Sequence, residues 1–185
     1  MQRIETIIYE DRASPELIYV YLHGAGGFGD DSSELFKYRD FPLLIHEKEL
    51  RPKYPFIVLH ALDGEYWNPE SVNVHLEELS KKFDHPNIHL IGYSRGGYGV
   101  YQYLSEFSLA SRGIVINSRV YEKLSTRTPI DVYHAVQDDK VSIECIRKFV
   151  KVKSEAGQII SLHEFEGDHH SIDKIALSGC VVKNT

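Results

Sequence analysis

Short apolar, β-branched runs recur along the chain: LIYVYLH (17–23), PFIVLH (55–60), NIHLIG (87–92), GIVINS (113–118), IDVYHAV (130–136) and IISLHEF (159–165). Their near-continuous hydrophobicity predicts strands buried on both faces, as in a mostly parallel sheet. IETIIYE near the start predicts an added edge strand. Between the runs, apolar residues recur at helical spacing over 70–83, where Val72, Leu76, Leu79 and Phe83 form one stripe, and again over 95–107, 141–156 and 171–178. Strands alternating with helices predict an α/β fold: a doubly wound, mostly parallel sheet of about six or seven strands flanked by helices. In such sheets ligands bind beyond the carboxyl ends of the strands, which makes the residue just after each run the one to question.

Length and charge narrow the class. A chain of 185 residues suits a single domain over 1–185 that buries about 70% of its unfolded surface without a disulfide or structural metal. Cys145 and Cys180 show neither close pairing nor zinc-type spacing and read as small apolar residues in a reducing compartment. The charged N-terminus and the lack of any long apolar run predict a cytoplasmic protein without membrane insertion. A formal charge of −6 argues against nucleic acid as a partner.

The run ending at Ile91 is followed by Gly92-Tyr93-Ser94-Arg95-Gly96, a G-x-S-x-G between a strand and a helix. This is the setting of a nucleophile elbow, in which a strained turn lifts the serine hydroxyl above the sheet and side chains two positions away would strike neighbouring backbone. Gly92 and Gly96 follow from that crowding. Gly97 and Gly99 are expected to let the helix lie close to the sheet. After the first long run comes HGAGGFGDD (23–31), whose glycine spacing matches neither a P-loop nor G-x-G-x-x-G. The favoured reading is an oxyanion loop that aims the backbone N–H of Ala25, together with that of Arg95, at the oxygen that becomes negative in acyl transfer, with a plain glycine turn as the alternative.

Asp138 and Asp139 follow the run 130–136, and His169 and His170 follow the run 159–165. A carboxylate there can hold an imidazole in the useful tautomer, and Asp138 is favoured, with Asp139 a solvated neighbour or helix cap. A histidine titrating near neutrality suits a proton shuttle. His170 is favoured over His169, although the doublet leaves both open. Chain order Ser94, Asp138, His170 is that of an α/β-hydrolase triad. Asp168, His169, His170 and His163 also raise a metal site, but no second ligand cluster supports it, and neither metal nor cofactor is expected. Trp67 and Tyr93 are candidate substrate contacts. Tyr93 and Tyr98 otherwise suit packing better than acid/base work, and the Arg95 side chain reads as solvated or as a partner for an anionic substrate group.

YLHGAGGFGDD, YWNPESVNVHLEEL, LIGYSRGGYGVYQYL, VYHAVQDDKVS and FEGDHHSI together resemble the α/β-hydrolase superfamily, in the branch of compact esterases and predicted peptidases related to polyhydroxybutyrate depolymerases and carboxylesterases. The resemblance implies Ser94 as nucleophile, Asp138 as acid, His170 as base, and Ala25 and Arg95 as oxyanion donors. Arg95, Ala135 and Ser142 depart from the usual methionine, glycine and proline, and the short stretch between Leu104 and Asp131 leaves no room for a cap domain. The implied activity is cleavage of a carboxylic ester of a small acyl substrate through an acyl-enzyme. A peptidase or acyltransferase with the same site, and a noncatalytic binding protein on this scaffold, are the alternatives.

Overall fold

A computed structural model of the chain describes residues 1–11, 13–37, 39–172 and 181–183. The apolar runs become strands β1 (Ile4–Tyr9), β2 (Leu17–Leu22), β4 (Phe56–Ala61), β5 (Asn87–Tyr93), β6 (Arg112–Ile116), β7 (Ile130–Ala135) and β8 (Ile160–Phe165). They form one seven-stranded sheet in the order β1-β4-β2-β5-β6-β7-β8. Only β1 runs antiparallel, against β4; every other neighbouring pair is parallel. Short β3 (Leu50–Pro52) pairs separately with β9 (Val181–Lys183).

Alternation within the strands sorts the core into two layers. Ile18, Val20 and Leu22 point to the face covered by α2 (Pro69–Lys82), α3 (Arg95–Glu106) and α4 (Ile143–Glu155), where Leu76, Val100, Tyr101 and Phe149 complete the packing. Tyr19 and Tyr21 point to the opposite face, which α1 (Phe41–His46) covers with Phe41, Leu44 and Ile45. Burial on both faces is why these strands read as continuous apolar runs. Helix α2 starts where the sequence signals a start: the Asn68 side chain accepts from the Ser71 N–H at 2.8 Å, and Pro69 follows at the first helical position.

The six-residue α1, capped by Asp40 and buried at four positions, is too short to show a helical period and was not anticipated from the pattern. The expected helix over 171–178 lies, beyond Ile172, outside the described residues, as does Cys180. Cys145 is a free thiol exposed on α4, not a packed apolar group. No helix among the described residues is long and apolar enough to cross a membrane.

Strand register brings the functional ends together. Leu22 lies opposite Gly92, Tyr93 opposite Ile116, Ile116 opposite Tyr133, and Ala135 opposite Phe165. The segments following β2, β5, β6, β7 and β8 therefore leave the sheet along one edge.

Candidate active site

Ser94 sits between β5 and α3 with φ 52° and ψ −113°, a left-handed conformation costly for a residue with a side chain. Its backbone is held from both sides: its N–H donates to Ile116 O at 2.9 Å, and its C=O accepts from Tyr98 N–H at 3.2 Å. The crowding expected at the elbow is present. A Cβ at Gly96 would stand 1.9 Å from Leu22 O, and one at Gly92 would stand 2.2 Å from Gly96 O. Gly97 lies against Val115 and Ser118 at the end of β6, but Gly99 gives room to the Trp67 ring rather than to the sheet. Ser94 occupies the N-cap of α3, yet its hydroxyl makes no capping bond. A cap of that kind contributes about 1 kcal/mol elsewhere, and here the hydroxyl is turned to a histidine instead.

That histidine is His169, not His170. His169 Nε2 lies 3.1 Å from Ser94 Oγ, and its Nδ1 lies 2.8 Å from Asp138 Oδ2. The reason is the turn after β8: Gly167 takes φ 152°, and the Asp168 carboxylate accepts from His170 N–H at 3.0 Å and from Ser171 O–H at 2.7 Å. The turn directs the first of the two rings inward and leaves the second exposed. His170 Nδ1 instead meets the Tyr93 hydroxyl at 2.9 Å. Asp139 is exposed and pairs with Lys140 at 2.8 Å, consistent with a solvated neighbour.

Asp138 is fully buried. Burial alone pushes its carboxyl upward, but the bonds from His169 and from the Val141 and Lys140 N–H groups, at 2.9 and 2.8 Å, outweigh it and hold Asp138 below the usual carboxylate range. An ionised carboxylate only accepts hydrogen bonds. It therefore fixes the proton of neutral His169 on Nδ1 and leaves the Nε2 lone pair facing the Ser94 O–H.

Ala25, Ser94, Arg95 and His169 line one cavity of about 580 Å³ with Trp67 and Tyr98. Ala25 opens a single 3₁₀ turn (Ala25–Gly27), and Arg95 is the first residue of α3, where a helix leaves its leading N–H groups without an intrahelical partner. A second cavity of about 210 Å³, lined by Gly24, Leu35 and Tyr93 among others, shares the same serine and histidine in its wall.

No family model and no curated protein matches the sequence. Solved structures do resemble the fold. MGS-M1, an α/β hydrolase enzyme from a Medee basin deep-sea metagenome library, superposes with a TM-score of 0.65 at 18% identity over 90% of this chain and 78% of that one. Esterase PE8 gives 0.65 at 15% identity over 96% and 94%, and a thermostable esterase gives 0.60 at 20% over 89% and 51%. The chain thus spans about half the length of the thermostable esterase. This is the α/β-hydrolase fold.

Within this α/β-hydrolase fold, three residues hold the histidine loop, and sequence reasoning passed over two of them, Asn117 and Gln137. Asn117, buried just past β6 with φ 44°, donates from Nδ2 to His169 O at 2.8 Å while its Oδ1 accepts from Ala135 N–H at 2.8 Å. It ties the ends of β6 and β7 to the residue that faces the serine. The Tyr93 hydroxyl donates to the same His169 carbonyl at 3.0 Å, so Tyr93 positions the histidine and also lines the smaller cavity. Gln137 accepts from Gly167 N–H at 2.6 Å and joins the aspartate loop to the histidine loop. The available signal was position: Asn117 and Gln137 each stand just past a strand end. The metal reading fails on geometry, because His163 stacks on Tyr133 and bonds Asp131 at 3.2 Å while Asp168 is spent on its own turn.

Trp67 is almost wholly buried. Its indole N–H donates to His23 O at 3.1 Å and its ring meets those of His23 and Phe28, so it supports the glycine-rich loop after β2 as well as lining the larger cavity. The Arg95 guanidinium donates to Glu65 O at 3.0 Å and stands 5.1 Å from the centre of the Tyr66 ring. It is thus bound to the loop before α2 rather than simply solvated.

His23 anchors the start of the glycine-rich loop after β2. Its Nδ1–H donates to Gly24 O at 2.8 Å, its Nε2 accepts from Ala61 N–H at 3.1 Å, and burial lowers its pKa to about 4. Because the unfolded histidine titrates near 6.5, the unfolded chain binds more protons between those values, and this group's contribution is lost as pH falls from about 6.5 to 4. Asp40, raised by burial to about 6, works in the opposite direction over much of that window, so wild-type stability alone would hide the effect. The stability gap between wild type and His23→Gln is expected to narrow by about 3 kcal/mol between pH 7 and pH 4. Urea unfolding at the two values reads it, and a gap independent of pH would refute a neutral, buried His23.

Proposed function

We propose that this chain is a serine hydrolase that cleaves a carboxylic ester of a small substrate through an acyl-enzyme. The observation that carries the reading is the continuous hydrogen-bonded series from Ser94 Oγ through His169 to Asp138, on a strained elbow at the carboxyl edge of the sheet. Ser94 Oγ attacks the ester carbonyl carbon as His169 Nε2 takes its proton. The carbonyl electrons move onto oxygen, and the N–H groups of Ala25 and Arg95 receive that oxyanion. Asp138 stabilises the imidazolium formed in this step. As the tetrahedral intermediate collapses, the bond to the alcohol breaks and His169 returns the proton to the departing oxygen. Water then attacks the acyl-serine, giving its proton to His169, and the second collapse releases the acid and restores Ser94.

Support for the ester class comes from the fold's likeness to esterases, one of them an esterase 2 of Thermogutta terrifontis phosphorylated by paraoxon. Short p-nitrophenyl acyl esters are the direct test. Saturable release of nitrophenol by the folded protein, well above the buffer rate, is the expected result. A folded protein that leaves all of them at the buffer rate would overturn the reading.

A further inference from the structure

The larger cavity beside Ser94 has a sign of charge opposite to that of the whole molecule. The chain carries a formal charge of −6, yet Arg95, Arg119 and Lys140 line this cavity and no carboxylate does among the described residues that form it. Lys140 is paired with Asp139 outside the lining. Among the described residues, Arg95 bonds only a neutral carbonyl and faces an aromatic ring, with no carboxylate paired to it. Arg119, two residues past Asn117, is exposed and has no side-chain hydrogen bond or ion pair among the described residues. Gln102 lines the same cavity, but its Oε1 is buried beneath the wall and has no hydrogen-bond partner among the described residues.

We infer that the substrate of this site is an anionic ester, with its carboxylate or phosphate received by Arg119 and Arg95 in the larger cavity while the scissile carbonyl lies at Ser94. Guanidinium groups suit this task because they stay charged and offer paired N–H donors matching the oxygens of a carboxylate or phosphate. A cationic cavity on an acidic protein also attracts an anion that the rest of the surface repels. The neighbouring cavity, with Gly24, Leu35 and Tyr93 in its wall, receives the part of the ester on the other side of the carbonyl.

This inference rests on the hydrolase reading, and its test separates the two. Two matched pairs of esters vary the charge: 4-nitrophenyl hydrogen glutarate against 4-nitrophenyl pentanoate places it on the acyl side, and 3-acetoxypropanoate against propyl acetate places it on the alcohol side. In at least one pair, the charged ester is expected to have a kcat/KM at least tenfold higher at low ionic strength, with the preference shrinking as salt is added. Arg119→Gln is expected to lower that charged-to-neutral ratio about tenfold, and Arg119→Lys to retain most of it. Equal or lower kcat/KM for the charged ester in both pairs, or a ratio unmoved by Arg119→Gln, overturns the inference. Calorimetric titration of Ser94→Ala with the same four esters reads charge preference without turnover. Charge-selective binding with no turnover by the native chain overturns the hydrolase reading alone. Turnover without charge preference overturns the anionic-substrate inference alone, and the absence of both overturns both.

Discussion

Ester turnover is expected to fall by about 10⁶ in Ser94→Ala and by a similar factor in His169→Ala, while His170→Ala stays within tenfold of wild type. The near-equality of the first two losses follows from the way the residues act. A serine hydroxyl is a poor nucleophile until a base removes its proton, and a base has nothing to activate without the hydroxyl. The double variant should therefore be little worse than either single one, with residual activity supplied by the oxyanion donors and binding alone. His170 bonds the Tyr93 hydroxyl rather than the serine, so its removal disturbs a support rather than a reacting atom. Steady-state kinetics of the four variants beside wild type reads the pattern. A large loss in His170→Ala with His169→Ala nearly active would contradict it.

Gly96→Ala is expected to cost at least about 3 kcal/mol of stability, a large fraction of the roughly 5–15 kcal/mol a domain has. The added carbon would stand 1.9 Å from Leu22 O and 2.8 Å from His23 O, both backbone atoms, so no side-chain rotation relieves the contact. Relief requires α3 to move from the end of β2, which displaces Ser94 and Arg95 together. Gly157→Ala provides the contrast. Gly157 has φ 84° after α4 with nothing within 4 Å of the new carbon, so only the left-handed backbone is penalised, at about 1 kcal/mol. Thermal unfolding should place Gly96→Ala lowest, and similar losses in both variants would contradict the steric account.

Much of the architecture was legible because burial on both faces of a parallel strand leaves an unbroken apolar run. The central strands and the first three predicted helices lie within a few residues of where the pattern put them, and β1 takes its place at the edge. Helix α1 escaped because a helix shorter than two turns has no period to detect. At the site, Ser94 and Asp138 could be read from their positions after β5 and β7. The choice between His169 and His170 could not, since neighbouring residues share the same strand end and the decision belongs to a turn set by Gly167 and Asp168. Asn117 was hidden for a related reason. An asparagine past a strand looks like an ordinary turn residue until its two bonds, to Ala135 and His169, are seen to join separate loops. Arg95 gives a third case, because the groups that hold it, Glu65 and Tyr66, come from a segment thirty residues earlier in the chain.

The central claim is that Ser94 is a nucleophile activated by His169. Mass spectrometry of the intact and proteolysed protein after exposure to a fluorophosphonate tests it most directly, since the reagent forms a stable bond only with an activated hydroxyl. The predicted result is one adduct per chain on the peptide containing Ser94, absent from Ser94→Ala and formed far more slowly in His169→Ala than in His170→Ala. An adduct that persists in Ser94→Ala, or a correctly folded wild-type protein that takes up no label, would contradict it.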